Sequence, residues 1–114
     1  MKKVYLIEEN EAIADVLVSI LEEHYKIEVK KNVAEIAKQA STFQPDLLII
    51  DHYTNNSDLC KTVNEIKNVQ QLKNIPLILC SNQNTIKEVS ADAYLTKPFD
   101  LTDFTTIVKN TIQE

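Results

Sequence analysis

Short apolar runs alternate with segments of helical periodicity along the whole chain, and that alternation limits the fold more than any other feature. Residues 4–7, 47–50 and 77–80 are apolar without interruption, as strands buried on both faces are. Residues 11–23 carry Ile13, Val16, Leu17, Ile20 and Leu21 at helical spacing. Asn10 is the expected N-cap, with Glu11 in the first turn, where negative charge favours the helix dipole. Residues 26–30 alternate Ile27 and Val29 with charge, the period of a half-exposed edge strand. A second helix is expected over 33–42, with Val33, Ile36, Ala37 and Ala40 on one face, and a third over 59–69, through Leu59, Val63 and Ile66. Residues 93–96 read as a last strand, and 101–112 as a last helix with Leu101, Phe104, Ile107, Val108 and Ile112 inward. Strand and helix in alternation call for a parallel sheet covered by helices on both faces.

One interval is too short for a full unit of this kind. Residues 82–93 must hold a loop, a helix and the approach to the last strand, while an average helix alone takes about 11 residues. The fourth helix is therefore shortened, to a turn or two over 85–89, or missing. No repeat, low-complexity stretch or interdomain linker interrupts the chain, so residues 1–114 read as one domain.

The chain contains no glycine, which rules out a Gly-rich phosphate loop, a dinucleotide fingerprint and a glycine-flanked serine elbow. Asparagine, which tolerates left-handed backbone, is the expected substitute in turns. A net charge of −5 and dispersed lysines give no basic face for nucleic acid. No apolar run reaches membrane-spanning length, and the start, Lys2-Lys3 followed by four apolar residues, is too short for a secretory core. Cys60 and Cys80 match no metal or redox spacing. A cytoplasmic protein is expected.

In open α/β sheets, ligands bind beyond the carboxyl ends of the strands. Past the inner strands lie Glu8 and Glu9, then Asp51, Ser81 and Lys97. The bland reading is that polar residues follow any strand. It explains each position singly, and less well a set of acids gathered without arginine. Crowded carboxylates repel, and a hard divalent cation such as Mg²⁺ resolves the conflict. A carboxylate also serves as a nucleophile toward phosphorus, given charge neutralisation on the transferred oxygens. The metal and Lys97 are candidates for that role, with Ser81 as hydrogen-bond donor.

The segments VYLIEEN, PDLLIID, LILCSN and AYLTKPF, in this order and at these distances, resemble the response-regulator receiver domain over nearly the whole chain. AYLTKPF is the most specific of them. The resemblance implies a flavodoxin-like, doubly wound, five-stranded parallel sheet of order 2-1-3-4-5. It implies Asp51 as phosphoacceptor and Glu8 and Glu9 as the acidic pair, with Glu9 the more direct Mg²⁺ ligand. The backbone carbonyl of Tyr53 is a further implied ligand. Ser81 becomes the switch hydroxyl, Tyr94 the aromatic whose rotation follows it, and Lys97 the phosphate partner, with a cis Lys97–Pro98 bond. The implied phosphodonor is a sensor histidine kinase or phosphotransfer protein, and the output a protein partner, with no direct nucleic-acid or membrane contact. The sequence departs from the pattern in its Glu-Glu pair, in the loop from His52 to Ser57, which lacks Pro-Gly, and in Asn82, where a small residue is usual.

The main expectation is thus a phosphorylatable signalling module, not a metabolic enzyme. The alternative is a pseudo-receiver that keeps the fold for protein interaction without phosphorylation. An aspartate-nucleophile phosphohydrolase fits poorly, because the second acid it needs two residues on is replaced by Tyr53. A flavin carrier has only fold analogy behind it.

Overall fold

The computed structural model describes residues 1–31, 39, 42–52, 56–81 and 90–112. Five strands, β1 (Lys2–Ile7), β2 (Tyr25–Lys30), β3 (Leu47–His52), β4 (Leu77–Ser81) and β5 (Ala93–Thr96), form one sheet of order β2-β1-β3-β4-β5. All four pairings are parallel. Three helices stand among the described residues: α1 (Glu11–Leu21), α2 (Asn56–Lys67) and α3 (Leu101–Thr111). This is the flavodoxin-like architecture expected from the sequence. The helix expected over 33–42 and the shortened or missing fourth helix over 82–93 fall mostly outside the described residues. No helix among the described residues is long and apolar enough to cross a membrane.

The pleat divides each inner strand between two cores. Val4, Leu6, Leu47, Ile49, Ile78 and Cys80 pack with Leu17 and Leu21 of α1 and Phe104 and Val108 of α3. Tyr5, Ile7, Leu48, Ile50, Leu77 and Leu79 pack with Val63 and Ile66 of α2 and with Leu72. Burial on both faces explains why these strands are apolar without alternation. β2 at the edge is only partly buried and does not alternate as expected: Tyr25 is buried, but Val29 is 36% exposed while Glu28 and Lys30 are half-buried.

Helix starts follow their caps. Asn10 Oδ1 accepts the Ile13 N–H at 3.1 Å, and Asp100 Oδ1 accepts the Asp103 N–H at 2.7 Å. Three further expectations need correction. β3 continues through Asp51 and His52, and α2 begins at Asn56, where a loop over 52–58 was expected. Val16 and Leu101, expected inward, are 49% and 48% exposed. Each lies beside its helix's buried stripe, which runs through Ala14, Leu17 and Leu21 in α1 and through Phe104 and Val108 in α3. Among the described residues the left-handed position falls on Gln44 (φ 54°), not on an asparagine.

A repeated device anchors the sheet at the end opposite the site. Asp46, just before β3, donates its N–H to the Lys3 carbonyl at 2.7 Å, and its Oδ2 accepts the Lys3 N–H at 2.8 Å. Asp92, just before β5, does the same to Leu77, at 2.9 Å and 2.8 Å. Each aspartate extends a ladder by one rung with its own side chain. Asp92→Ala strands the N–H of fully buried Leu77, so urea denaturation should show a loss of about 1–3 kcal/mol, with Asp92→Asn losing less.

Candidate functional site

The strand ends decide which acids meet. Even-numbered residues of β1 and odd-numbered residues of β3 and β5 face the α1/α3 side. Continuing that alternation past Leu6, Ile49 and Leu95 brings Glu8, Asp51 and Lys97 to one side of the sheet edge. The register makes Asp51 the partner of Cys80 and sets Ile7 beside Ile50, so Glu8 and Asp51 leave adjacent strands side by side. Ser81 ends β4 one residue further on and is fully buried. Its carbonyl accepts the Lys97 N–H at 2.8 Å, which fixes Lys97 over the site.

Glu8 is 2% exposed and Asp51 4% exposed. The Lys97 ammonium forms an ion pair with Asp51 Oδ1. Glu8 Oε2 accepts the Asn10 N–H at 3.3 Å, so the residue that caps α1 also steadies Glu8. Glu9 has the opposite parity and is exposed. The group of three carboxylates expected from the sequence is therefore a buried pair, Glu8 and Asp51, among the described residues. Tyr94 is half-buried against the α2-side core, and its hydroxyl accepts the Ala91 N–H at 3.0 Å. Tyr53 and Asn82 lie outside the described residues. The Lys97–Pro98 bond is cis, and Phe99 stacks on buried Phe104 with ring centroids 5.7 Å apart, which ties the turn after Lys97 to the core.

Burial chiefly, with a side-chain hydrogen bond to Asp51 and the repulsion of its charge, raises the Glu8 pKa to about 7. The Asn10 N–H and the Lys97 charge pull the other way. Burial also raises the Cys80 thiol, beside Asp51, so Cys80 is a protonated core residue. With both acids ionised, Glu8 Oε1 and Asp51 Oδ2 have no hydrogen-bond donor among the described residues. A shared proton answers this need, and so does a hard cation. Two orphaned carboxylate oxygens at one sheet edge fit the one-or-two-carboxylate donor set of Mg²⁺. Two acidic groups alone are fewer than a dedicated protein cage needs, and no cluster of three or more such ligands occurs among the described residues.

The sequence offered no route to Val16 and Leu101 as part of this region. Both line an open groove of about 610 Å³ whose floor is Asp51 and Lys97. Pleat parity separates Glu8 from Glu9 only once the pairing of β1 with β3 fixes which face carries Asp51.

Because the folded protein keeps a proton on Glu8 that the unfolded chain has lost, metal-free stability should fall as pH rises from about 4.5 to about 7 and level off above. Urea midpoints across this range should show the decline, and Glu8→Gln should flatten it.

The response regulator receiver domain model matches residues 4–109. Protein RcaC of Microchaete diplosiphon is 31% identical over an alignment of 108 residues that covers 86% of this chain and 16% of that protein. The chain thus spans about a sixth of that relative's length. A receiver-modulated diguanylate cyclase from Pelobacter carbinolicus superposes with a TM-score of 0.78 at 30% identity, covering 97% of this chain and 92% of that one. Response regulator TrrA from Thermotoga maritima, solved in complex with Mg²⁺-BeF, gives a TM-score of 0.79 at 24% identity over 98% and 100% of the two chains. With nearly all its length matched and the same order of strands around the Glu8–Asp51–Lys97 edge, the chain belongs to the response regulator receiver domain family.

Proposed function

We propose that residues 1–114 form one receiver domain in which Asp51 accepts a phosphoryl group from a sensor histidine kinase or phosphotransfer protein. Receiver domains are in general non-enzymatic signalling modules served by such donors. The observation that carries the reading is a buried carboxylate at the end of a central strand, ion-paired to Lys97 and touching a second carboxyl, Glu8.

In the transfer, an Asp51 oxygen attacks phosphorus as the bond to the donor nitrogen breaks, and the imidazole leaves. Lys97 moves its charge from the Asp51 carboxylate to the incoming phosphoryl oxygens. Ser81 donates a hydrogen bond to one of them, and Tyr94 follows Ser81 to change the surface offered to a downstream protein. Asp51 and Glu8 would hold Mg²⁺, with Glu9 and the Tyr53 carbonyl as the further ligands that the family resemblance implies, and the cation would supply charge neutralisation on the phosphoryl oxygens. The Mg²⁺-BeF complex of the Thermotoga maritima protein supports this cofactor for the fold.

A second reading is favoured by one feature of the site. A proton on Glu8 and the ammonium of Lys97 between them neutralise both acids without metal. A pseudo-receiver, which binds a protein partner and is never phosphorylated, would hold this arrangement permanently.

Beryllofluoride with Mg²⁺, followed by amide NMR, separates the two. Saturable shifts at Asp51, Ser81 and Lys97 that vanish in Asp51→Asn are expected. Absence of shifts at millimolar Mg²⁺ would leave the pseudo-receiver.

A further inference from the structure

β2 stands first in the sheet order, so among the described residues β1 is its one neighbour and its other side is an open edge. One hydrogen bond shows which backbone groups face that edge. The Glu8 N–H donates to the Lys30 carbonyl at 3.0 Å, so Lys30 turns its backbone groups toward β1. In a parallel pair, successive residues of a strand turn theirs to opposite sides. Glu28 and Lys26 therefore also bond toward β1, and Ile27 and Val29 present N–H and carbonyl outward. Such a row is a template for another strand. The side chains divide in the same rhythm. Ile27, and with it Val29, lies on the α1/α3 side. Glu28 pairs in register with Tyr5 of the α2-side core, so Lys26, Glu28 and Lys30 share that face.

Lysines on an edge strand commonly guard it against pairing. β2 differs, because Glu28 stands between Lys26 and Lys30 and makes the strand complementary to itself. Two copies of β2 laid antiparallel about Ile27 set Lys26 of each copy opposite Glu28 of the other. These are non-hydrogen-bonded pairs, since Lys26 and Glu28 turn their backbone groups to β1, and in such pairs the side chains come closest. Ile27 meets its own counterpart in a hydrogen-bonded pair. Val29, 36% exposed, comes to lie beside Tyr25 of the other copy on the apolar face. A centre at Glu28 would oppose Lys26 to Lys30 and Glu28 to itself, all like charges. A centre at Val29 would set Ile27 against Lys31 and rely on Lys30. The Lys30 side chain is only 13% exposed and already pairs with Glu28 of its own strand at 3.9 Å, whereas Lys26 is exposed.

We propose that β2 is a self-association edge, through which two copies of this chain pair β2 with β2, antiparallel and centred on Ile27, into one continuous sheet of twice five strands. The contact is the same patch on both copies, so the assembly closes at the dimer. Antiparallel pairing turns the carboxyl ends of the two sheets in opposite directions. The two Asp51 sites therefore open at opposite ends of the dimer, and the contact is independent of phosphorylation. A strand of six residues is a small contact beside a standard interface, so the dimer is weak.

The test is analytical ultracentrifugation of the 114-residue chain from about 1 μM to about 1 mM, which spans the range of weak association. A monomer–dimer equilibrium is expected. Lys26→Glu replaces both opposite-charge pairs by like-charge pairs and should raise the dimer Kd about tenfold, as should Glu28→Lys. An equimolar mixture of the two variants restores both opposite-charge pairs and should associate within about threefold of the unaltered chain. Amide hydrogen exchange at Ile27 should slow as the concentration of the unaltered chain rises, and not in Lys26→Glu. A chain that stays monomeric at the highest concentration overturns the proposal. So does a dimer whose Kd is unchanged by Lys26→Glu, a series of species that grows beyond the dimer, or folded variants that fail to associate when mixed. Lys26 is exposed, so Lys26→Glu with the Ile27 exchange decides the matter even where Glu28→Lys, which loses its contact with Lys30, does not fold.

Discussion

Burial of ionisable groups at the carboxyl edge of a sheet with fully buried inner strands is the constraint on which this structure turns. β3 is apolar on both faces, and its residues from Leu47 to Ile50 are inaccessible to solvent. The strand then continues one step further and carries Asp51 into the same environment. An isolated carboxylate there would be severely penalised. Lys97 offsets that penalty directly, and Glu8, beside it, meets the same pressure by holding a proton. A buried ion pair of this kind seldom adds net stability relative to apolar side chains of equal volume. Its retention beside a third ionisable group points to chemistry.

The elements around the site serve to hold these charges at fixed separations. Asn10 uses its side chain to start α1 and its backbone N–H to steady Glu8, so the helix and the acid are positioned by one residue. The pairing of β4 with β5 ends with the Ser81 carbonyl on the Lys97 N–H. The stack of Phe99 on Phe104 then fixes the turn that follows. At the far end of the sheet the Asp46 and Asp92 side chains complete ladders that the backbone alone would leave short. Rigid strands with anchored ends let a small change of charge at one edge act on packing.

The departures from the family's usual residues acquire physical meaning in this setting. A glutamate at position 8 reaches one methylene further than an aspartate, and its carboxyl lies close enough to the Asp51 charge for its pKa to be raised by it as well as by burial. A proton on Glu8 and the ammonium of Lys97 thus neutralise the two acids in the folded protein. The apolar groove above it adds a second character to the region: charge at the floor, hydrocarbon on the walls.

The fold was legible because burial on two faces writes itself into composition. The runs at residues 4–7, 47–50 and 77–80 could be nothing but inner strands once helical segments separated them, and the edge strand announced itself by alternation. The convergence of Glu8, Asp51, Ser81 and Lys97 on one sheet edge was legible too, since parallel strands put all their carboxyl ends together. What the linear order could not decide was which neighbour in a pair faces the site. Glu8 and Glu9 are alike as residues, and only the pleat of β1 against β3 buries the first and leaves the second in solvent. Helical spacing likewise cannot tell a core position from the lip of a groove. Val16 and Leu101 have core chemistry, yet they lie beside the buried stripes of α1 and α3 and stay about half exposed. Residue type and period follow from local chemistry, whereas partners across the sheet and gaps between helices exist only once separate segments pack.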